Sequence, residues 1–253
     1  DKNFEDVAAL IDVILTDHNL RRRIIEGQNR RLQQFAPHET FKKLQNVVEG
    51  VAADKYHIPE REICIEGPCE TSYSLAVVNR SLGLALNKSP KYNVSLYITE
   101  GPGDYTPLQE NFGDKPEVKE LWLKSKQRNT YDITIRNMYP PRVHDAKGRI
   151  RLLSFAWEDS LIPADWAANF NKYLDGVIVP SSFVRDVLVR SGVTLPIEVV
   201  PYGVSLDVPR DNRTLQQLPS GKRFKFLNIS SGFPRKGIDI LLDAYCEEFS
   251  AED

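Results

Sequence analysis

Residues 176–190 read GVIVPSSFVRDVLVR. The apolar run at 177–179 is typical of a strand that is buried on both faces, and the residues after it have the spacing of an amphipathic helix. The same alternation of short apolar runs and helical stretches extends outward in both directions from residue 61 to the end of the chain. It predicts an α/β fold with a Rossmann-like parallel sheet and flanking helices, preceded by a helical segment.

The predicted elements follow one another regularly. Ligands of such sheets bind outside the carboxyl ends of the strands, so we look for functional residues in the loops that follow each strand. The predicted strands are 63–66, 94–99, 133–136, 152–156, 176–180, 198–201 and 224–229, and the predicted helices between and after them are 73–86, 117–125, 164–173, 183–190 and 238–249.

Residues 1–60 have a helical pattern, and Pro37 separates the second predicted helix from the third. From residue 20 to residue 43 there are seven Lys and Arg against two Glu, a net charge of +5. Such a helix either turns a solvated face to water or lies on a membrane surface, and both interpretations stay open. We interpret residues 1–60 as the end of a preceding module.

The composition excludes several classes of protein. The 253 residues carry a formal net charge of −2, which gives no electrostatic reason to expect a nucleic-acid partner. No run approaches the roughly 18 apolar residues of a membrane span, and the first residues do not resemble a signal peptide. Three cysteines favour neither a disulfide framework nor a zinc site. We therefore expect a cytoplasmic protein, with peripheral contact at the inner face of the membrane left open.

Residues 224–242, FKFLNISSGFPRKGIDILL, combine a predicted strand, a glycine-containing loop and a helix start. Glycines allow backbone N–H groups to approach a phosphate, and the helix dipole and two cations supply positive charge. The spacing does not fit a P-loop, because Ile-Asp stands where Lys-Ser/Thr is required. The pattern predicts either a diphosphate site or a plain strand–helix turn with solvated cations. The predicted diphosphate-binding residues are Gly232, Arg235, Lys236 and Gly237.

The loops after the other strands are polar and aromatic and lack the GxGxxG pattern, so they suit a hydroxyl-rich ligand better than a dinucleotide. An aromatic side chain beside an acid can stack on a sugar ring and accept its hydroxyl protons. Glu158 is either such an acid or a solvated acid at a helix start. Further polar and aromatic residues at strand ends are Arg136, Asn137 and Trp157.

Three motifs in one order resemble family 4 glycosyltransferases of the GT-B fold. They are IVPSSFVRDVL at 178–188, VVPYGV at 199–204 and RKGIDILLDAY at 235–245. The EGP loop at 66–68 and the WED segment at 157–159 look like a bacterial subset that builds surface polysaccharides. The resemblance implies a Rossmann-like acceptor-side domain with its linker at 61–221, and the first strand–helix unit of an incomplete donor-binding domain at 222–253.

The resemblance also implies a site. Lys236 and Arg235 would bind the diphosphate of a nucleotide-sugar donor. A cleft would hold a glycan acceptor, with Glu158 as the candidate catalytic group, and the predicted cleft residues are Pro68, Ser72, Tyr73, Ser74, Arg136, Asn137, Trp157 and Gly203. No metal and no cofactor are expected. The family's second acidic motif, two Glu separated by seven residues, occurs here only as Glu62 and Glu70 in the wrong domain. We expect the true motif beyond Asp253, in a longer multi-module chain, and expect this segment alone to be inactive.

The predicted function is glycosyl transfer to a glycan hydroxyl in polysaccharide biosynthesis, by the parent enzyme. The alternative is a non-catalytic glycan-binding or scaffolding module derived from a glycosyltransferase. A nucleotide-dependent oxidoreductase is disfavoured, because both GxGxxG and its acidic ribose partner are missing.

Overall fold

A computed structural model describes residues 9–10, 13–14, 16–53, 61–203 and 226–250. The chain divides into two compact units, residues 1–206 and 207–253. The predicted linker after Gly203 lies outside the described residues, as do positions 224–225 of the last predicted strand. The domain boundaries proposed at residues 60 and 221 stay predictions.

The first unit contains a six-stranded parallel sheet in the order β2-β1-β5-β6-β7-β8. Strands β3 and β4 form a short antiparallel pair beside it. The fold-class prediction is therefore confirmed. The strands are β1 (Arg61–Glu66), β2 (Tyr92–Tyr97), β3 (Thr99–Glu100), β4 (Gly103–Asp104), β5 (Tyr131–Arg136), β6 (Gly148–Ser154), β7 (Gly176–Val179) and β8 (Ile197–Val199).

Local chemistry explains where several helices begin. The Asp17 carboxylate accepts hydrogen bonds from the N–H groups of Asn19 and Leu20, both at 2.9 Å, and the Ser181 hydroxyl accepts one from Val184. The α-helices are α1 (His18–Leu32), α2 (Pro37–Ala53), α3 (Ser74–Asn87), α4 (Pro116–Ser125), α5 (Ala164–Tyr173), α6 (Ser182–Arg190) and, in the second unit, α7 (Ile238–Glu248).

The core of the first unit lies on both faces of the sheet. Ile133 and Ile135 of β5 are fully buried, as expected for a central strand of a parallel sheet. Helix α2 contributes Leu44 and Val48 to the same cluster, whereas α1 has no buried residue among those described. The apolar face of α2 is thus part of the sheet's core, and the basic helix α1 turns its charges to solvent.

The second unit differs from its sequence prediction. Residues 226–229, predicted as a buried strand, form no strand, and Phe226, Leu227 and Ile229 are 62%, 82% and 88% exposed. A strand is stabilised by hydrogen bonds to a neighbour, and the described residues of this unit provide none. The predicted helix after it is confirmed as α7.

Candidate functional site

The sheet has one topological switch point, between β1 and β5. The chain runs from β1 to β2 on one side and then returns to β5 on the other side of β1. Glu66 and Arg136 are the last residues of these two strands, and they are paired in the register of the sheet. Because ligands of open α/β sheets bind outside the carboxyl ends of the strands at such a point, this edge is the candidate site.

A buried ion pair lies at the switch point. Arg136 Nε and Nη2 are 2.7 Å and 2.5 Å from Glu66 Oε2, and the two side chains are 1% and 0% exposed. Arg136 also donates to the Arg142 carbonyl at 2.5 Å and to the Asp145 carboxylate. Burial raises the pKa of Glu66, and the charge of Arg136 opposes that shift. The guanidinium therefore positions the surrounding loops, and its predicted contact with an acceptor stays a prediction.

Arg142 is linked to the Glu66–Arg136 pair through Asp145, which contacts both arginines. Its guanidinium donates to the carbonyls of Glu100 and Gly101 at 2.8 and 3.2 Å and to Thr99 Oγ1 at 2.7 Å, and its Nε is 2.9 Å from Asp145 Oδ2. Burial opposes ionisation of Asp145, but its hydrogen bonds to the two arginines lower its pKa overall. The loops that follow β2 and β5 are thereby tied together at the rim of the site.

A buried amide joins the loops after β1 and β5. Asn79 of α3 donates its Nδ2 hydrogens to the carbonyls of Pro68 and Asn137, at 2.8 and 2.9 Å. Between these loops Gly67 has a φ of +151°, and a Cβ added there would lie 2.2 Å from the Asn137 carbonyl oxygen. The backbone of the β1 loop is thus packed closely against the loop after β5, and this close approach requires glycine at position 67.

The rim of the site presents hydroxyl groups and carboxylates. Ser72, Tyr73 and Ser74 are exposed at the start of α3, and the Tyr73 hydroxyl donates to Glu100. Burial and the neighbouring Glu100 carboxylate raise the pKa of Tyr73, so this phenol stays protonated at neutral pH. These groups can donate to and accept from the hydroxyls of a ligand.

An aromatic wall stands at the carboxyl end of β6. Trp157 stacks on Phe155 with ring centroids 5.7 Å apart. It also makes an edge-to-face contact with Trp166, with ring centroids 5.4 Å apart. Tyr139, from the loop after β5, lies 6.0 Å from Trp166 and is 62% exposed. Glu158, directly after Trp157, is exposed. Partly exposed aromatic faces next to a carboxylate are suited to the apolar face and the hydroxyls of a sugar ring.

The predicted cleft residues lie at or after the ends of strands, but the structure gives them different environments. Asn79 joins Pro68 to Asn137, whereas Gly203 lies against Pro37 and Thr40 of α2. Sequence reasoning missed the residues that hold the site together, although Glu66 had one available signal, a lone acid ending an apolar strand. The missed residues are Glu66, Asn79, Arg142, Asp145 and Trp166.

The predicted diphosphate loop belongs to the second unit. Pro234–Lys236 form one turn of 3₁₀ helix, and Gly237, with φ +62°, leads into α7. The N–H groups of Lys236 and Gly237 donate to the carbonyls of Phe233 and Pro234, at 2.9 and 3.0 Å. Gly232 and Lys236 are exposed. Two of the predicted phosphate-facing amides are therefore used within the turn, and diphosphate binding here stays a prediction.

Comparison with protein-family models, with curated proteins and with solved structures finds no match to this chain. In the described part of the chain, no three His, Cys, Asp or Glu side chains are placed to hold a metal ion. No helix within those same ranges is long and apolar enough to cross a membrane.

Proposed function

We propose that this chain is a segment of a glycosyltransferase that transfers a sugar from a nucleotide-sugar donor to a glycan hydroxyl in polysaccharide biosynthesis. In this proposal the first unit supplies the acceptor side. Lys236 and Arg235 support the departing diphosphate together with the dipole of α7, and Glu158 orients the acceptor hydroxyl.

The observation that carries the proposal is the chemistry of the switch point. The loop after β1 lacks the GxGxxG pattern of a dinucleotide site, and its Gly67 is packed against Asn137. The surface beside it offers Trp157 and Tyr139 as stacking faces and the Tyr73–Glu100 pair as hydroxyl partners. A sheet edge that lacks that pattern and presents aromatic rings with carboxylates favours a neutral glycan over a dinucleotide.

The first test is glycan binding by the intact chain. We expect an array of neutral oligosaccharides to give at least one ligand whose binding changes tryptophan fluorescence, because the aromatic wall holds two of the three tryptophans. Trp157→Ala should weaken that ligand by about 1 kcal/mol or more, the size of an aromatic stacking contact. Phe183→Ala, an exposed aromatic of α6 outside the wall, is the matched control and should have no effect.

The second test concerns the donor. In a longer chain that extends past Asp253 to the second acidic motif, we expect UDP or GDP, and not NAD, to be the nucleotide that binds, as measured by calorimetry. Lys236→Ala should weaken it by about 1.5–3 kcal/mol, as for a hydrogen bond to a charged group, while the exposed Lys88→Ala should not. Binding of NAD in place of a nucleoside diphosphate would overturn the assignment.

One observation favours the second candidate, a non-catalytic glycan-binding or scaffolding module. The amides of Lys236 and Gly237 are hydrogen-bonded inside their own turn, so in this conformation the loop offers fewer donors to a diphosphate. Glycan binding that depends on Trp157, together with no binding of UDP or GDP by the longer chain, would identify this alternative.

A further inference from the structure

A pocket of about 250 Å³ lies between helices α2 and α3 on one face of the sheet, apart from the aromatic wall. Pro37, Thr40, Phe41 and Leu44 line it from α2. Their spacing of three, one and three residues places them on one face of that helix. A face of α3 forms the opposite wall, and the ends of β5, β6 and β7 form the floor.

The lining residues are buried at the floor of the pocket and exposed at its mouth. Leu44, Ile135 and Ile178 at the floor are buried, whereas Val77, Ser81 and Tyr202 at the mouth are exposed. None of the eighteen lining residues, all within the described part of the chain, carries a charge. Water inside would find few partners, because the side-chain hydroxyls of the lining come only from Thr40, Ser81, Ser154 and Tyr202. The lining therefore favours a hydrocarbon over a sugar or a phosphate.

The size limits the occupant. A dry cavity of 150 Å³ lined by aliphatic side chains holds benzene, with its six carbons, so a pocket of about 250 Å³ scales to about ten carbons. One exposed end and one closed end suit a single chain that enters tail first.

The surroundings of the mouth indicate the head group. Pro37 at the mouth lies within residues 20–43, which carry a net charge of +5. Arg30 and Arg31 are exposed in the last turn of α1, at most seven residues before Pro37. The Thr40 hydroxyl is buried and has no hydrogen-bond partner among the described residues. An anionic head would meet positive charge and a free hydroxyl here.

We propose that this pocket binds the hydrocarbon tail of a single-chain anionic amphiphile of about ten carbons, with its carboxylate or phosphate head at the mouth beside Thr40 and Arg30–Arg31. This site shares no residue with the aromatic wall or with the 232–237 loop, and Gly203 is the one predicted cleft residue that lines it. Its hydrocarbon occupant is therefore tested separately from the proposed glycosyltransferase activity.

The test uses the intact chain and sodium decanoate below its micelle concentration, with binding measured by calorimetry. Ser81→Phe places a ring across the mouth from an exposed position and should weaken decanoate at least tenfold. Asn87→Phe, exposed on the same helix outside the lining, is the matched control and should leave binding unchanged. If both variants bind decanoate equally well, and circular dichroism shows that both are folded, the pocket does not hold the tail and the proposal is overturned.

The head group is tested separately. 1-Decanol has the same tail without the charge, and we expect it to bind at least fivefold more weakly than decanoate. Arg30→Gln with Arg31→Gln should weaken decanoate and leave decanol unchanged. Arg21→Gln with Arg22→Gln, about 14 Å further along α1, is the control pair. Equal affinity for decanol and decanoate would overturn the anionic head.

The Ser81→Phe variant also tests whether the amphiphile in the pocket is a lipid of a membrane. Co-sedimentation with phosphatidylglycerol vesicles that Ser81→Phe abolishes would support the pocket and assign the tail to a lipid. Co-sedimentation that Ser81→Phe leaves intact, together with no decanoate binding, would overturn the proposal in favour of surface attachment by α1.

Discussion

Two strand–helix patterns of this chain can be compared directly. The first, REICIE followed by α3, forms a central strand whose last residue, Glu66, is wholly buried. The second, FLNI at 226–229 followed by α7, is just as apolar, yet it forms no strand and its large side chains are exposed. β1 has β2 and β5 as neighbours, and residues 226–229 have none among the described residues. An apolar run becomes a strand only where another strand completes its hydrogen bonds.

The comparison extends to the polar residues at each loop. Arg136 and Glu66 neutralise each other inside the protein, whereas Lys236 is exposed. Buried charges hold a structure in place and are costly to disturb, while exposed charges are free to meet a ligand. A substitution at the buried pair should therefore lower the free energy of unfolding, whereas a substitution of Lys236 should mainly affect ligand binding.

The largest expected effect comes from Arg136→Met. It leaves Glu66 buried without its partner, and we expect the free energy of unfolding to fall by about 3–5 kcal/mol. Urea unfolding followed by tryptophan fluorescence measures this selectively, because all three tryptophans belong to the first unit. Lys236→Met, the counterpart in the second unit, should change the free energy of unfolding by less than about 0.5 kcal/mol. Circular dichroism measures this variant, because residues 207–253 hold no tryptophan.

A double variant separates the charge from the packing. Glu66→Gln with Arg136→Met removes both charges, so we expect it to be more stable than Arg136→Met alone. If the double variant is as unstable as the single one, packing and not the buried charge accounts for the loss.

Two glycines sharpen the contrast further. Gly67→Ala puts a Cβ 2.2 Å from the Asn137 carbonyl oxygen at a φ of +151°, so a loss of about 2–3 kcal/mol is expected. Gly232→Ala meets nothing within 4 Å and should stay within about 0.5 kcal/mol of the unmodified chain. Both are measured by thermal unfolding. Equal melting temperatures would show that the β1 loop is not packed as described.

Asn79→Ala should have an intermediate effect. It removes the donor to the Pro68 and Asn137 carbonyls and leaves two buried acceptors unpaired, at a cost of about 1–3 kcal/mol. Hydrogen exchange should increase at the amides of residues 67–73. Asn87→Ala, exposed on the same helix, serves as the control, and similar exchange in both variants would contradict the bridging role.

The smallest effect concerns pH. The pKa of Asp145 is lowered in the folded state, so its contribution to stability is complete above its ordinary value near 3.8 and is lost as the pH falls further. The pKa of Glu66 is raised, so its effect on the pH dependence of stability has the opposite sign. Glu66 is present both in Asp145→Asn and in the unmodified chain, so its effect is common to the two. The free energy of unfolding should fall less between pH 5 and pH 3 in Asp145→Asn than in the unmodified chain. Parallel curves would contradict the ion pairs of Asp145.

The sequence predicted the arrangement of strands and helices in the first unit well, because each depends on a repeat within a short window. The apolar run at 177–179, which lies in β7, is an example. It placed Trp157 and Asn137 at the correct edge because parallel strands share that edge. It did not reveal that Asn79 bridges two loops, since its acceptors lie 11 and 58 residues away.

By itself the sequence determined the α/β class, the order of the elements and the loops in which ligand-binding residues were sought. Those features follow from the periods of strands and helices, from caps and from prolines, all of which act between residues close along the chain. Only the tertiary structure decided that Arg136 is neutralised by Glu66, that residues 226–229 form no strand, and that α2 and α3 enclose an apolar pocket. Each of these depends on which distant segments meet, and the burial and strand neighbours that result decide whether a charge is paired and whether a strand forms.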